Sequence, residues 1–147
     1  MQKFLFVLFF FSILNACKSD AKTEGIEVKT SSKSLIWHSI ADIPSLAKAE
    51  QKGYFIDVYT DWCGWCKKMD KITFSDPLVK KALANKYHAI KFNAEQKTPV
   101  NFKGKTYEFQ AQGRNGINLL AVELLQGELS FPSYVFLDEK FNIKKVT

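Results

Sequence analysis

Metal-ligating side chains are scarce in this sequence, with three cysteines and two histidines among 147 residues. A structural zinc site takes four ligands, and His38 and His88 stand at no ligand spacing from a cysteine pair, so no metal is expected. A basic block is also missing. The formal net charge is +6, but the lysines are scattered along the chain without a basic-aromatic stripe. That distribution describes a solvated surface and excludes nucleic acid as the expected partner. No apolar run reaches the roughly twenty residues that a membrane-spanning helix needs, and no internal repeat is evident. What remains is an ordinary globular composition, 46% apolar and 24% charged, with length enough for one domain and a real core.

The N-terminus reads as processing signal. Lys3 supplies a short positive region and Phe4 to Leu14 an apolar stretch too short to span a bilayer. The following Leu14-Asn15-Ala16-Cys17 resembles the lipobox of bacterial lipoproteins. That resemblance implies cleavage before Cys17, lipidation of Cys17 and a tether to a membrane surface without a spanning helix. The plainer alternative is an ordinary signal peptide cut nearby, with Cys17 a stray thiol. Counting favours lipidation, because one lipidated cysteine leaves one pair and no orphan in an exported protein. The expected divisions are residues 1–16 as signal peptide, 17–34 as lipidated N-terminus and flexible polar linker, and 35–147 as the folded domain.

Within the domain, Leu35 to His38 reads as a short strand. Asp42 is placed to cap a helix with Pro44 in its first turn and Gly53 as its stop. Tyr54 to Tyr59 is β-rich and apolar except for Asp57, the pattern of a central strand buried on both faces. A second helix is expected from Cys63 to about Lys71, and Ser75-Asp76-Pro77 is a strong start signal for a third. Tyr87 to Asn93 is the next strand, and Val100 to Phe109 reads as a hairpin turning at Lys103-Gly104. Ile117 to Gln126 is expected to be a helix ended by Gly127. Phe131 to Leu137 and Ile143 to Val146 are expected strands joined by a polar turn. This order predicts an α/β fold with a mixed central sheet flanked by helices.

Chemistry concentrates at Trp62-Cys63-Gly64-Trp65-Cys66-Lys67. A Cys-x-x-Cys pair opening a helix brings both sulfurs to one face within bridging reach. The free N–H groups and dipole of the helix start favour a thiolate at the first cysteine. Cys63 is therefore the expected nucleophile and Cys66 the more buried resolving thiol. The competing readings are a zinc site, which lacks ligands, and an inert structural disulfide, which a core of this size does not require. A cysteine pair directly after an apolar strand points to redox work instead. No separate cofactor is expected, since the Cys63–Cys66 disulfide is itself the electron carrier.

The run from Tyr54 to Lys67 resembles the active-site strand and helix of the thioredoxin superfamily. Thr73-Phe74-Ser75-Asp76-Pro77-Leu78-Val79 is similar to the C-terminal thioredoxin-like domain of bacterial transmembrane thiol:disulfide interchange reductases, and Phe131-Pro132-Ser133-Tyr134 resembles the family's cis-proline strand. The resemblance implies a thioredoxin-like fold and thiol–disulfide exchange. By position it implies that Asp57, six residues before Cys63, is the buried acid that handles the proton of the resolving cysteine. Independently of that, an Asp inside an apolar strand must be compensated for its desolvation; the alternative is a surface Asp on an edge strand. Lys91 matches a lysine near that acid and is a candidate for electrostatic tuning. Pro132 matches the proline that faces the disulfide, which puts Phe131 at the substrate-docking surface, with Trp62 and Trp65 as flanking apolar contacts.

Three departures accompany the resemblance. Trp65 stands where thioredoxin has proline, residues 94–114 look like an insertion, and the chain stops at Thr147, where the family adds a last helix. That last helix is thus apparently missing, and its sheet face is left to a continuation of the chain, the N-terminal segment or a partner. The function expected from these features is reduction of protein disulfides in the cell envelope. Disulfide-containing envelope proteins are the expected substrates, with a membrane thiol-reductase as electron donor and a periplasmic, lipid-anchored location. A dithiol oxidase or isomerase is the first alternative. A redox-inert module holding clients or copper is the second.

Overall fold

The structure, a computed structural model, describes residues 34–147. The expected signal peptide, Cys17 and all but the last residue of the linker lie outside the described residues. Strand β1 (Trp37–Ser39) leads through a short turn of 3-10 helix, Ile40–Asp42, into α1 (Ile43–Ala49) and then the long strand β2 (Gly53–Tyr59). Helices α2 (Gly64–Ile72) and α3 (Pro77–Lys86) precede β3 (Tyr87–Asn93). Two small hairpins follow, β4 (Val100–Phe102) with β5 (Lys105–Tyr107), and β6 (Phe109–Gln112) with β7 (Asn115–Asn118). Helix α4 (Leu119–Leu124) and strands β8 (Ser133–Leu137) and β9 (Ile143–Val146) complete the order, and among the described residues no helix follows β9.

The main sheet runs β1-β3-β2-β8-β9. The β1–β3 and β3–β2 pairs are parallel, and the β2–β8 and β8–β9 pairs antiparallel, which is the expected mixed α/β arrangement. Because side chains alternate along a strand, the sheet has two separate packing faces. Tyr54, Ile56 and Val58 of β2 join Ile90 and Phe92 of β3 and Val135 and Leu137 of β8 on one face. Ile43 of α1, Leu120 and Leu124 of α4, and Val100, Phe102 and Tyr107 of the first hairpin cover that face. On the other face Phe55, Tyr134 and Phe136 gather around Trp37 and Phe74, with ring centroids 5.1–6.0 Å apart. Phe74 lies in the turn after α2.

Several local expectations shift for identifiable reasons. Asp42 does not cap α1: its carboxylate turns back to accept from the backbone N–H and hydroxyl of Ser39, at 2.8 and 2.9 Å, and closes the 3-10 turn instead. Gly53 is not a helix stop but the first residue of β2. A Cβ there would lie 2.7 Å from the Leu137 carbonyl oxygen and 3.0 Å from the Tyr87 ring, so the glycine permits the close approach of β8. The helix expected from Ile117 starts only at Leu119, because Ile117 and Asn118 close the second hairpin and the Asn118 side chain caps α4 by accepting from Leu120 N–H. The sequence pattern does not predict that second hairpin. Likewise the strand expected from Phe131 begins at Ser133.

The start of α3 is as expected, with the Asp76 carboxylate accepting from the N–H groups of Leu78 and Val79 at 2.8 and 3.1 Å. Asp76→Ala removes both bonds, and urea unfolding should show a loss of about 1 kcal/mol, most of it restored in Asp76→Asn.

Candidate active site

Cys63 and Cys66 form a disulfide with Cα atoms 5.3 Å apart. Cys63 is the N-cap of α2 rather than its first helical residue: its backbone is extended, its N–H donates to the Thr60 carbonyl at 3.1 Å, and its Sγ accepts the Cys66 N–H at 3.0 Å. A sulfur at this position lies in the field of the free N–H groups of the helix start, which favours negative charge there. Burial does not separate the two cysteines as expected. Cys63 is 3% exposed and Cys66 4%, so what distinguishes them in this oxidised state is the helix-start position of Cys63.

Asp57 lies on the central strand β2, six residues before Cys63. At 1% exposure it is no edge-strand surface residue. The parallel register sets Asp57 opposite Lys91, and Lys91 Nζ donates to Asp57 Oδ2 at 2.6 Å. Lys91 also pairs with Asp70 of α2, four residues after Cys66 on the same helix face. The Lys91 ammonium sits 4.8 Å from the Trp37 ring centroid and 5.4 Å from that of Tyr59. One lysine thus bridges a buried acid and a half-exposed one.

Burial holds the Asp57 carboxyl above its ordinary pKa, against the opposing hydrogen bond and charge of Lys91. For Lys91, burial alone would lower the pKa, but hydrogen bonds to Asp57 and Asp70 and their charges outweigh it and raise the value. Among the described residues Asp57 Oδ1 has no hydrogen-bond partner, and neither does the Tyr134 hydroxyl, which belongs to the residue directly across from Asp57 on β8. Burial, with the charges of Asp57 and Asp70 beyond it, pushes the Tyr134 phenol up to about 12.

The Phe131–Pro132 bond is cis and half-buried at the start of β8. No hydrogen bond engages the Phe131 backbone N–H or carbonyl among the described residues. Trp62 and Trp65 are both open to solvent, at 68% and 65%. Trp65 carries the Lys68 ammonium 4.4 Å from its ring centroid. Trp62 is fastened: its indole N–H donates to Glu95 Oε1 at 3.0 Å, and its ring meets that of Phe131 edge-on at 6.1 Å. The structure therefore brings Phe131 against Trp62, and Lys91 against Asp57. Among the described residues no group of three or more His, Cys, Asp or Glu side chains is arranged to hold a metal ion.

Two neighbours of the site escaped the sequence reading. Asp70 had a usable signal, because a residue four positions after Cys66 shares its helix face. Glu95 had none, because only the packing of the segment after β3 brings it to Trp62.

The thioredoxin-like family model matches residues 37–139. The thiol:disulfide interchange protein DsbD of Yersinia enterocolitica is 42% identical over 57 residues, which are 36% of this chain and 10% of that relative. The chain thus spans only a small part of the length of the curated relatives it matches. Among solved structures, a DsbH oxidoreductase superposes with a TM-score of 0.52 at 20% identity, over 78% of this chain and 72% of that one. A candidate disulphide-isomerase from Bacteroides thetaiotaomicron superposes with 0.53 at 19% identity, over 78% and 80%. These two likenesses show the fold.

A pKa raised on folding means that Asp57 favours the folded state while protonated, and that this contribution is lost as pH rises from the ordinary carboxylate range through the raised value. Asp57→Asn removes that titration. The variant should gain stability relative to wild type at neutral pH, with the advantage shrinking as pH falls through the raised value and gone below the ordinary carboxylate range of about 4. Urea midpoints of the oxidised protein across this range test the sign, and an advantage that grows toward low pH would refute it.

Proposed function

The chain belongs to the thioredoxin-like family and is of the thiol–disulfide oxidoreductase type, and we propose that it works as a reductase of protein disulfides in the cell envelope. The single observation carrying the exchange reaction is the Cys63–Cys66 pair at the start of α2. In the reduced protein the Cys63 thiolate attacks a client disulfide. The client S–S bond breaks, one client sulfur leaves as a thiolate that takes up a proton, and the other is held on Cys63 as a mixed disulfide. Cys66 then loses its proton to Asp57 and attacks Cys63 Sγ. The intramolecular disulfide forms, the mixed disulfide breaks, and the second client thiol is released. Two electrons have passed to the client, and a dithiol donor of the membrane must return them.

Asp57 suits the proton-accepting role. Burial raises its pKa, and Oδ1 is unengaged while Oδ2 is held by Lys91. Lys91 in turn limits how far the carboxyl rises. The unpaired Phe131 backbone beside Pro132 supports a docking role, since an extended client segment finds there a donor and an acceptor free to pair.

The envelope location rests on the N-terminal sequence, with export directed by residues 1–16 and periplasmic anchoring through lipid on Cys17. No helix among the described residues is long and apolar enough to cross a membrane. The reducing direction rests on the resemblance of the Thr73 to Val79 segment to the C-terminal domain of bacterial transmembrane thiol:disulfide interchange reductases.

Equilibration with glutathione tests the direction. A Cys63–Cys66 potential of roughly −270 mV is expected, whereas one of about −120 mV would make the protein an oxidant. Failure to form the disulfide at all would leave only a binding module. In addition, Cys66→Ala should accumulate client proteins on Cys63 as mixed disulfides, visible on non-reducing gels and absent in Cys63→Ser.

A further inference from the structure

We propose that the client-binding surface extends past Trp62 into a groove on the β6–β7 hairpin that receives an acidic residue flanking the client cysteine. This rests on the reductase reading above and adds a substrate class to it. Trp62 connects the two regions, since one side of its ring meets Phe131 and its N–H is held by Glu95. Glu95 is itself braced: its N–H donates to Asn93 Oδ1 at 2.9 Å, and Asn93 Nδ2 donates to Asp61 Oδ2 at 3.1 Å. The wall beside the disulfide is therefore anchored to the segment that carries the hairpins.

Beyond Glu95 lies a cavity of about 150 Å³ lined by Glu95, Lys97, Phe109, Arg114, Asn115 and Gly116. Its apolar part is built on a close approach. A Cβ on Gly116 would fall 2.2 Å from Phe109 Cζ, so only glycine lets the Phe109 ring lie across the facing strand. Its charge is uncommitted. Lys97 and Arg114 are exposed and form no ion pair among the described residues. The carboxylate of Glu95, at the Trp62 end, accepts from the indole. A polypeptide laid from Pro132 across Trp62 thus meets a groove lined by two free cations and an aromatic ring, and a carboxylate side chain satisfies the arginine fork directly. Like charge at Glu95 directs that carboxylate to the far end of the groove.

The test uses two disulfide-bonded model peptides, identical except that the residues flanking one cysteine are Asp/Glu in one and Lys in the other. The wild-type protein should reduce the acidic peptide with a kcat/KM about tenfold higher, the scale of two partly screened charge contacts. Lys97→Glu/Arg114→Glu should invert that preference. Lys80→Glu/Lys81→Glu, the same charge change on α3, should keep it. Equal use of both peptides by the wild type, a preference for the basic one, or a loss of preference as large in the α3 variant would each overturn the groove. Reduction of neither peptide by the wild type would instead defeat the reductase reading, and the groove's role with it.

Discussion

A carboxylate in the middle of a sheet covered on both faces is the constraint to which the other parts of this molecule answer. Taking an ion out of water costs several kcal/mol after relaxation, and the cost is tolerated only where a partner is held in good geometry. Here the partner comes from the neighbouring strand. The parallel register that sets Asp57 opposite Lys91 is thereby fixed twice, by the apolar side chains of the first face and by the ion pair on the second. A slip of one residue would put Lys91 into the apolar face and Phe92 against the acid. Asp70 ties α2 to the same lysine, so the helix that presents the cysteines is fastened to the sheet by charge as well as by packing.

The active-site arrangement follows from that frame. Strand β2 ends at Tyr59, and the Thr60 carbonyl takes the Cys63 N–H, so the chain turns into α2 with the first cysteine at the cap. The cis peptide at Pro132 opens the strand paired with β2 on its other side. The central strand thus has a different neighbour on each flank: β8, which opens after the cis bond, and β3, which brings Lys91 to Asp57.

Much of this was legible in the sequence because it is written in local patterns. The apolar run broken only by Asp57, the Ser75-Asp76-Pro77 start and the β3 stretch from Tyr87 to Asn93 each announce their element, and the structure places β2, α3 and β3 within a residue of expectation. Less legible were segments whose local signals served two ends. Asp42 precedes a helix yet spends its carboxylate on the turn before it, and Gly53 looks like a helix terminator but is required by a strand crossing close by. The second hairpin, with polar, weakly alternating strands, carries almost no periodic signal. Of the site, the cysteines, Asp57, Pro132 and Lys91 stood out by position in a recognisable pattern. Glu95 is brought to Trp62, and Lys97 to the same groove as Arg114, only by tertiary packing.

The outer strands of the main sheet govern how this protein behaves at high local concentration. Strand β1 is only three residues long, and β9 on the opposite edge carries Lys144 and Lys145. A short edge offers few unpaired backbone groups to a neighbouring chain, and adjacent lysines repel a second copy of themselves. Domains held at high local density would meet edge to edge far more often than domains dilute in solution. Such edges keep the sheet from growing by self-association while the disulfide face stays open for exchange.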